Sequence, residues 1–558
     1  MKDESSSASE VNIINALGIW ALVRDTIIED PTKVIPTALR IDFVRFRKFV
    51  AKASADSLRE TLDDLDPSYD RLHERHREIP LKALESLKEK ERGLLNAAIQ
   101  TAASRNSVNS KKFAAYIDAC FRKPEGSFSQ FYAGAVIRCL DTPNKITNAY
   151  AMGAALSGPL FFGFIHRLML RAQSDGIERI YFMARDGCLL VKMAEILNTS
   201  LGLGLELRYL RTSRQATRFP SIYRLNARDF VWIFERMDTE FTLQTLASRL
   251  KTDLESMAAL FTPKMQAFAE RVGGQAVLGE EEVEMLKHEF LTNLNLSQDV
   301  EKRAAESRAS VTAYYRQEGM FEKSEIALVD IGWLGSLQDA IYRILRDQPD
   351  CPRVTEYYFG CSQYSEDTLP SNRKIPFFLF PSKRTGFGPL MELILLADHG
   401  MTVGYERSSE GKLHPICNDE GAHLADWGLQ DYFAGACDFT RVYAASLQEF
   451  GDCIEPAYDA VVPELIHLLR SAEPIAAVTF GDILYSGNQE EDNLRAIAPP
   501  FTAKEALRYI FGSKESRQEQ TQWGEASFKR SSKFVRFILL FDLRPILSAI
   551  REVVRTGY

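Results

Sequence analysis

Apolar and polar positions through the middle of this chain form repeated strand–turn–helix units. In Ile177–Asn198 the apolar run Ile180–Ala184 predicts a buried strand, Arg185-Asp186-Gly187 a turn, and Leu189, Leu190, Met193 and Ile196 a helix face. Glu325–Ile344 has the same pattern. Ile326–Val329 runs into Asp330, Gly332 and Gly335 mark a loop, and Ser336 is placed to cap a helix with apolar positions Leu337, Ile341 and Leu345. Leu205–Leu210 predicts a further strand, followed by Arg211, Thr212, Ser213 and Arg214. Val354–Gly360, rich in Tyr and Phe, is another. Ile375–Phe380 is a strand or buried extended run in which Pro376 favours an edge. Strands alternating with helices predict a parallel sheet, and hence the α/β class.

Helical spacing dominates the flanks. Residues 1–10 are expected to be disordered, and Val11 to about Leu140 reads as helical, as in Pro80–Ser104. Ala155–Ala172 reads as a buried helix whose Gly158-Pro159 and Gly163 permit close packing, and Gly388–Asp398 as a helix carrying Glu392 on an apolar face. The expected organisation is a helical region over 1–145, an α/β core over 146–410 with a helical insertion at about 225–320, and a mainly helical region over 411–558.

Composition narrows the class. The chain has 558 residues, 45% hydrophobic and 26% charged, as in ordinary globular proteins, and a net charge of -8 argues against a general nucleic-acid binder. Eight scattered cysteines without a CxxC pair point away from zinc ribbons and toward reduced thiols in a cytoplasm. The polar start MKDESSSASE lacks a signal-peptide core. No uncharged apolar run reaches about 18 residues, so no transmembrane segment is expected.

Ligands of parallel α/β sheets bind beyond the carboxyl ends of the strands. Three predicted strand ends are polar: Arg185-Asp186-Gly187, Arg211–Arg214, and Asp330 with the Gly332–Ser336 loop. Two acids, several arginines and a helix N-terminus suit a sugar phosphate with a divalent cation. The same residues would also serve as strand-end caps and surface ion pairs, and both readings stay open on the residues alone. Asp64-Leu65-Asp66 has the spacing of a phosphatase DxD, but it follows polar, helix-like residues rather than a buried strand. His73 and His76 lie on a charged helix with no third ligand near, so a solvated face explains them better than a metal.

Together, IYFMARDGCLL, YLRTSR and VDIGWLGSLQ resemble a set of bacterial polysaccharide-biosynthesis proteins that often carry an N-terminal haloacid dehalogenase-like phosphatase domain. The matching pieces are Gly158-Pro159, Phe162-Gly163, Arg179–Gly187, Tyr209–Arg214, Val329–Gln338, Tyr358–Gly360 and, in MELILLADHGMTVGY, Glu392, His399, Gly400 and Tyr405. The resemblance spans roughly residues 150–405. It implies a Rossmann-like or type I phosphoribosyltransferase-like core that moves a 5-phosphoribosyl group from phosphoribosyl pyrophosphate (PRPP) to a glycan in O-antigen or capsule synthesis, releasing pyrophosphate. It further implies Asp186, Asp330 and Glu392 as catalytic groups. Arg185, Gly187, Ser213, Arg214, Gly332, Trp333, Gly335, Ser336, Gln338 and His399 would contact substrates, and Mg²⁺ would sit on Asp186 or Asp330. The usual PRPP loop has two adjacent acids, where this chain has Asp330-Ile331. The acceptor would be a glycan, free or lipid-linked. The location would be the cytoplasm, with peripheral attachment at the inner face of the membrane as an alternative. Without a strand-borne DxD, dephosphorylation falls to a separate phosphatase. The rival readings are a phosphatase or hydrolase of the haloacid dehalogenase type, and a non-catalytic scaffold of a glycan-assembly complex.

Overall fold

The computed structural model describes residues 129–140, 146–234, 241–362, 373–380, 388–418, 422–450, 462, 465–467, 469–485, 494–511 and 521–540. The expectations for residues 1–128, with Asp64-Leu65-Asp66 and the His73/His76 pair, lie outside them. The described residues fall into two compact units, one from 129–167, 195–202 and 430–475, the other from 168–194, 203–429 and 476–540.

The larger unit is α/β. Its sheet has five parallel strands: β1 (Arg179–Met183), β2 (Glu206–Leu210), β3 (Glu325–Trp333), β4 (Arg353–Ser362) and β5 (Arg373–Phe380), in the order β2-β1-β3-β4-β5. Every residue of β1 is buried, as expected of a strand covered on both faces. Pro376 lies in β5, an edge strand, the place in a sheet where proline is tolerated. Tyr181, Met183, Ile326 and Leu328 pack against Ile341, Ile344 and Leu345 of the Ser336–Leu345 helix. At the amino end of the sheet, buried Arg179 donates to Glu206 and Glu322, each at 2.7 Å, tying β1 to β2 and to the turn before β3.

Helices between Phe230 and Gln317 form an insertion with its own core, in which Phe234 meets Phe230, Phe241 and Phe290 ring to ring. Two features differ from the sequence expectation. The helix at Gly388 ends at Leu393, and 394–401 is irregular. An antiparallel hairpin follows, β6 (Thr402–Arg407) and β7 (Leu413–Cys417), pinned by Tyr405, whose hydroxyl donates to Arg211 O at 2.9 Å. A short pair, β8 (Leu484–Tyr485) with β9 (Arg495–Ala496), comes later. The six described cysteines are free thiols.

The smaller unit is helical. Residues 148–167 and the helix Leu429–Phe450 cross at glycines: a Cβ on Gly153 would lie 2.0 Å from Tyr432 O, and one on Gly435 2.0 Å from Tyr150 O. Thr147 Oγ1 accepts from Tyr150 N–H and donates to Asp431 at 2.8 Å, fixing the start of the crossing. Tyr132, Phe162, Phe439 and Tyr443 fill the space beside it, with Tyr132 and Tyr443 centroids 4.5 Å apart. The sequence pattern predicts no membrane-spanning helix. Asn148–Ser174 is long and apolar enough to span by length and composition, but 89% of its apolar window is buried within the protein, as in a core helix. Gly435→Ala should destabilise the protein by about 1–3 kcal/mol, the usual cost of overpacking. Urea unfolding measures it, and an unchanged midpoint would contradict so close a crossing.

Candidate functional site

From β1 the chain moves outward to β2, then returns to the other side of β1 to form β3. In the strand order 2-1-3-4-5 this reversal is the switch point, and ligands of open α/β sheets bind there, beyond the strand carboxyl ends. Asp186 follows β1, and Asp330 lies in β3. The two acids most prominent in the sequence therefore meet at the switch point.

Their electrostatics set the character of the site. Asp330 is 7% exposed. Its Oδ1 accepts from the Ile331 N–H at 2.8 Å, and its Oδ2 accepts from the Gln338 amide at 2.8 Å. Asp186 is half-buried by accessible surface, yet protein atoms crowd its carboxyl. Burial, then the charges of Asp330 and Glu392, push Asp186 well above the usual carboxylate range. Burial also raises Asp330, but bonds from Gln338, Ile331 and Asp186 and the charge of Arg214 pull it back. Both carboxyls are raised and titrate as a pair, and the balance of causes puts their shared proton on the Asp186 side.

Three further side chains converge on the pair. Arg185 opposes the rise at Asp186, and exposed Arg214 acts on Asp330. Glu392 Oε2 accepts from the Tyr485 hydroxyl at 3.1 Å. Burial and Glu392 push that phenol up, while Arg214 and Arg185 pull it down, so both guanidiniums lie near this bond as well. Sequence reasoning missed Tyr485, because it lies 93 residues from Glu392 with no local pattern to mark it.

The glycines act through the backbone. Gly332 has φ +123°, and a Cβ there would lie 1.8 Å from Gly360 O, so it lies inside the paired part of β3 rather than in a loop. Gly335, at φ +71°, is the N-cap of the following helix, so Ser336 is the first helical residue and not the expected cap. Behind this turn Lys374 pairs with Asp339 at 3.1 Å, both side chains 7% exposed, and Tyr358 donates to buried Glu356 at 2.7 Å. Neither pair was expected from the sequence. Gly187 begins its helix against β1, where a Cβ would lie 2.7 Å from Phe182 C.

Other candidates have structural duties. The Ser213 hydroxyl donates to Thr402 O at 2.5 Å and accepts from Ala216 N–H at 3.0 Å, capping Arg214–Thr217. His399 Nδ1 faces Gly400 O at 2.7 Å, an atom that only accepts, so Nδ1 carries the proton and Nε2 accepts from the Tyr209 hydroxyl at 2.7 Å. Burial drives His399 down to about 4, leaving it neutral and occupied at both nitrogens rather than open as a base. Gln338 acts through Asp330, and Trp333, half-buried, closes β3.

Among the described residues no group of three or more His, Cys, Asp or Glu is arranged to hold a metal. A pair of carboxylates still fits Mg²⁺ of the kind completed by substrate phosphates and water. No family model matches the chain, and no curated protein matches it.

The proton on Asp186 has a consequence for stability. An acid raised on folding binds more protons folded than unfolded, so its contribution falls as pH rises from the ordinary carboxylate range through its raised value. Asp186→Asn keeps a donor toward Asp330 and removes that loss, so it should stabilise the protein at pH 8 relative to pH 5. Asp330→Asn would turn an amide toward the Gln338 or Ile331 donor and should cost about 1–3 kcal/mol. Denaturant unfolding of both variants at the two pH values tests this, and equal effects would contradict the assigned proton.

Proposed function

We propose that this chain is a phosphoribosyltransferase that moves a 5-phosphoribosyl group from PRPP to a glycan acceptor in bacterial surface-polysaccharide synthesis. The observation that carries the reading is the Asp186–Asp330 pair at the switch point of a parallel sheet, with Arg185 and Arg214 beside it. The resemblance of the ARDG, LRTSR and DIGWLGS stretches to polysaccharide-biosynthesis proteins supports it, since all three follow or end neighbouring strands.

In this reading Asp330, preset by Gln338 and Ile331, accepts hydrogen bonds from ribose hydroxyls. The Gly335 turn and the first amides of the Ser336–Leu345 helix hold the 5-phosphate. Arg185 and Arg214 neutralise the pyrophosphate as it leaves an oxocarbenium-like centre, where stabilising the departing charge matters most to the rate. Glu392, held by Tyr485, takes the proton of the acceptor hydroxyl. Asp186 or Asp330 would hold Mg²⁺, which when bound supplies charge neutralisation for the phosphates. In this reading a separate phosphatase would remove the 5-phosphate. The acceptor is a glycan, free or lipid-linked, which suits a cytoplasmic enzyme working at the inner face of the membrane.

Incubation with PRPP, Mg²⁺ and a synthetic acceptor glycan should add one phosphoribosyl unit by mass spectrometry. Asp330→Asn should abolish transfer while remaining folded. Arg214→Ala should lower kcat/KM by about 10- to 100-fold, the worth of one charge-assisted hydrogen bond. Tyr485→Phe should lower kcat by about tenfold. Absence of both transfer and PRPP binding would exclude the reading in favour of a scaffold. Release of phosphate from sugar phosphates without transfer would favour a phosphatase.

A further inference from the structure

We propose that the helix Lys533–Leu540, with the neighbouring helix Ala503–Phe511, is a docking face for an anionic lipid surface. Nothing in it depends on the reading of the switch-point site. Val535 is buried, and with Phe501 and Ala506 it forms a small core against which Tyr509, Ile538 and Leu539 pack. That core fixes the rotation of the Lys533–Leu540 helix. Phe534 and Phe537, three residues apart, then lie on its outer side, 67% and 59% exposed. Leu507 on the neighbouring helix is 43% exposed. Two exposed phenylalanines on one helical turn are unusual on a protein surface that meets only water.

The charge around them identifies the occupant. Residues 494–511 and 521–540 contain seven Lys or Arg and two Glu, in a chain whose net charge is -8. Exposed Lys533 adjoins both phenylalanines, Arg536 flanks them, and Lys504, Arg508 and Lys529 lie on the helices beside them. Of the nearby acids, Glu505 accepts from Thr502 N–H at 2.8 Å and its hydroxyl at 2.7 Å and Asp482 pairs with Arg530 at 2.5 Å, while Glu525 on the Gly524–Arg530 helix is exposed, so the cations still outnumber the acids. Aromatic side chains ringed by cations on a short amphipathic helix match the boundary between acyl chains and acidic headgroups. An acidic protein partner would match the cations but not the two protruding rings.

The test is co-sedimentation of the full chain with vesicles of phosphatidylcholine alone, or with about one third phosphatidylglycerol. Binding should appear only with the anionic vesicles and weaken sharply at high salt. Lys533→Ala with Arg536→Ala should lower the partition coefficient roughly thirtyfold, from about 1 kcal/mol per charge at the surface. Phe534→Ser with Phe537→Ser should lower it by at least about tenfold, with unfolding midpoints of both double variants unchanged. As a second measurement, Phe534→Trp should show a blue-shifted emission change on adding anionic vesicles. No sedimentation with phosphatidylglycerol vesicles, or sedimentation that neither double variant alters, would overturn the proposal.

Discussion

The site depends on one interaction, the pairing of two carboxyl groups, Asp186 just after β1 and Asp330 in the neighbouring parallel strand β3. Left alone, two buried acids would repel each other and cost the fold stability. Here the conflict is resolved by division of labour. Asp330 receives two fixed donors, Ile331 N–H and the Gln338 amide, and stays the acceptor. At Asp186 burial and the charges of Asp330 and Glu392 outweigh Arg185, and the carboxyl is held well above its usual range. The register of β1 on β3, with Phe182 beside Val329, brings the two chain segments together. Gln338 reaches Asp330 because Gly335 starts its helix immediately after β3.

Close backbone approaches make that geometry possible. Gly332 lets β3 and β4 pair where a side chain would strike Gly360 O, and Gly187 brings its helix against β1. Around this frame the pairs Lys374–Asp339 and Tyr358–Glu356 satisfy buried groups under the Ser336–Leu345 helix. The site brings together two coupled acids, two guanidiniums and a tyrosine-held glutamate. Under the proposed function, an anionic, diphosphate-activated sugar would change that charge balance on arrival.

Much of this was legible in the sequence, for physical reasons. Central parallel strands buried on both faces leave continuous apolar runs, as in Ile180–Ala184 of β1 and Ile326–Val329 of β3, while β2, β4 and β5 were read from their bulky apolar and aromatic residues. The acids after β1 and in β3 stood out because a charge beside such a run needs a partner. Local geometry misled where two neighbouring residues could each cap the same helix. Gly335 does so in place of Ser336, because its left-handed backbone closes the turn. Ser213 and His399 looked reactive by type, yet backbone carbonyls of Thr402 and Gly400 already engage them. Tyr485, Lys374 and the β6–β7 hairpin were not legible, since their partners are distant in sequence and no periodicity connects them.

The most direct measurement of the central claim is the number of protons released when Mg²⁺ and PRPP bind, taken by titration calorimetry in buffers of different ionisation enthalpy. A cation and a diphosphate joining the Asp186–Asp330 pair should displace its proton, so the account predicts proton release on donor binding by the native chain and none in Asp186→Asn. Binding without proton release in the native chain, or the same release in Asp186→Asn, would contradict it.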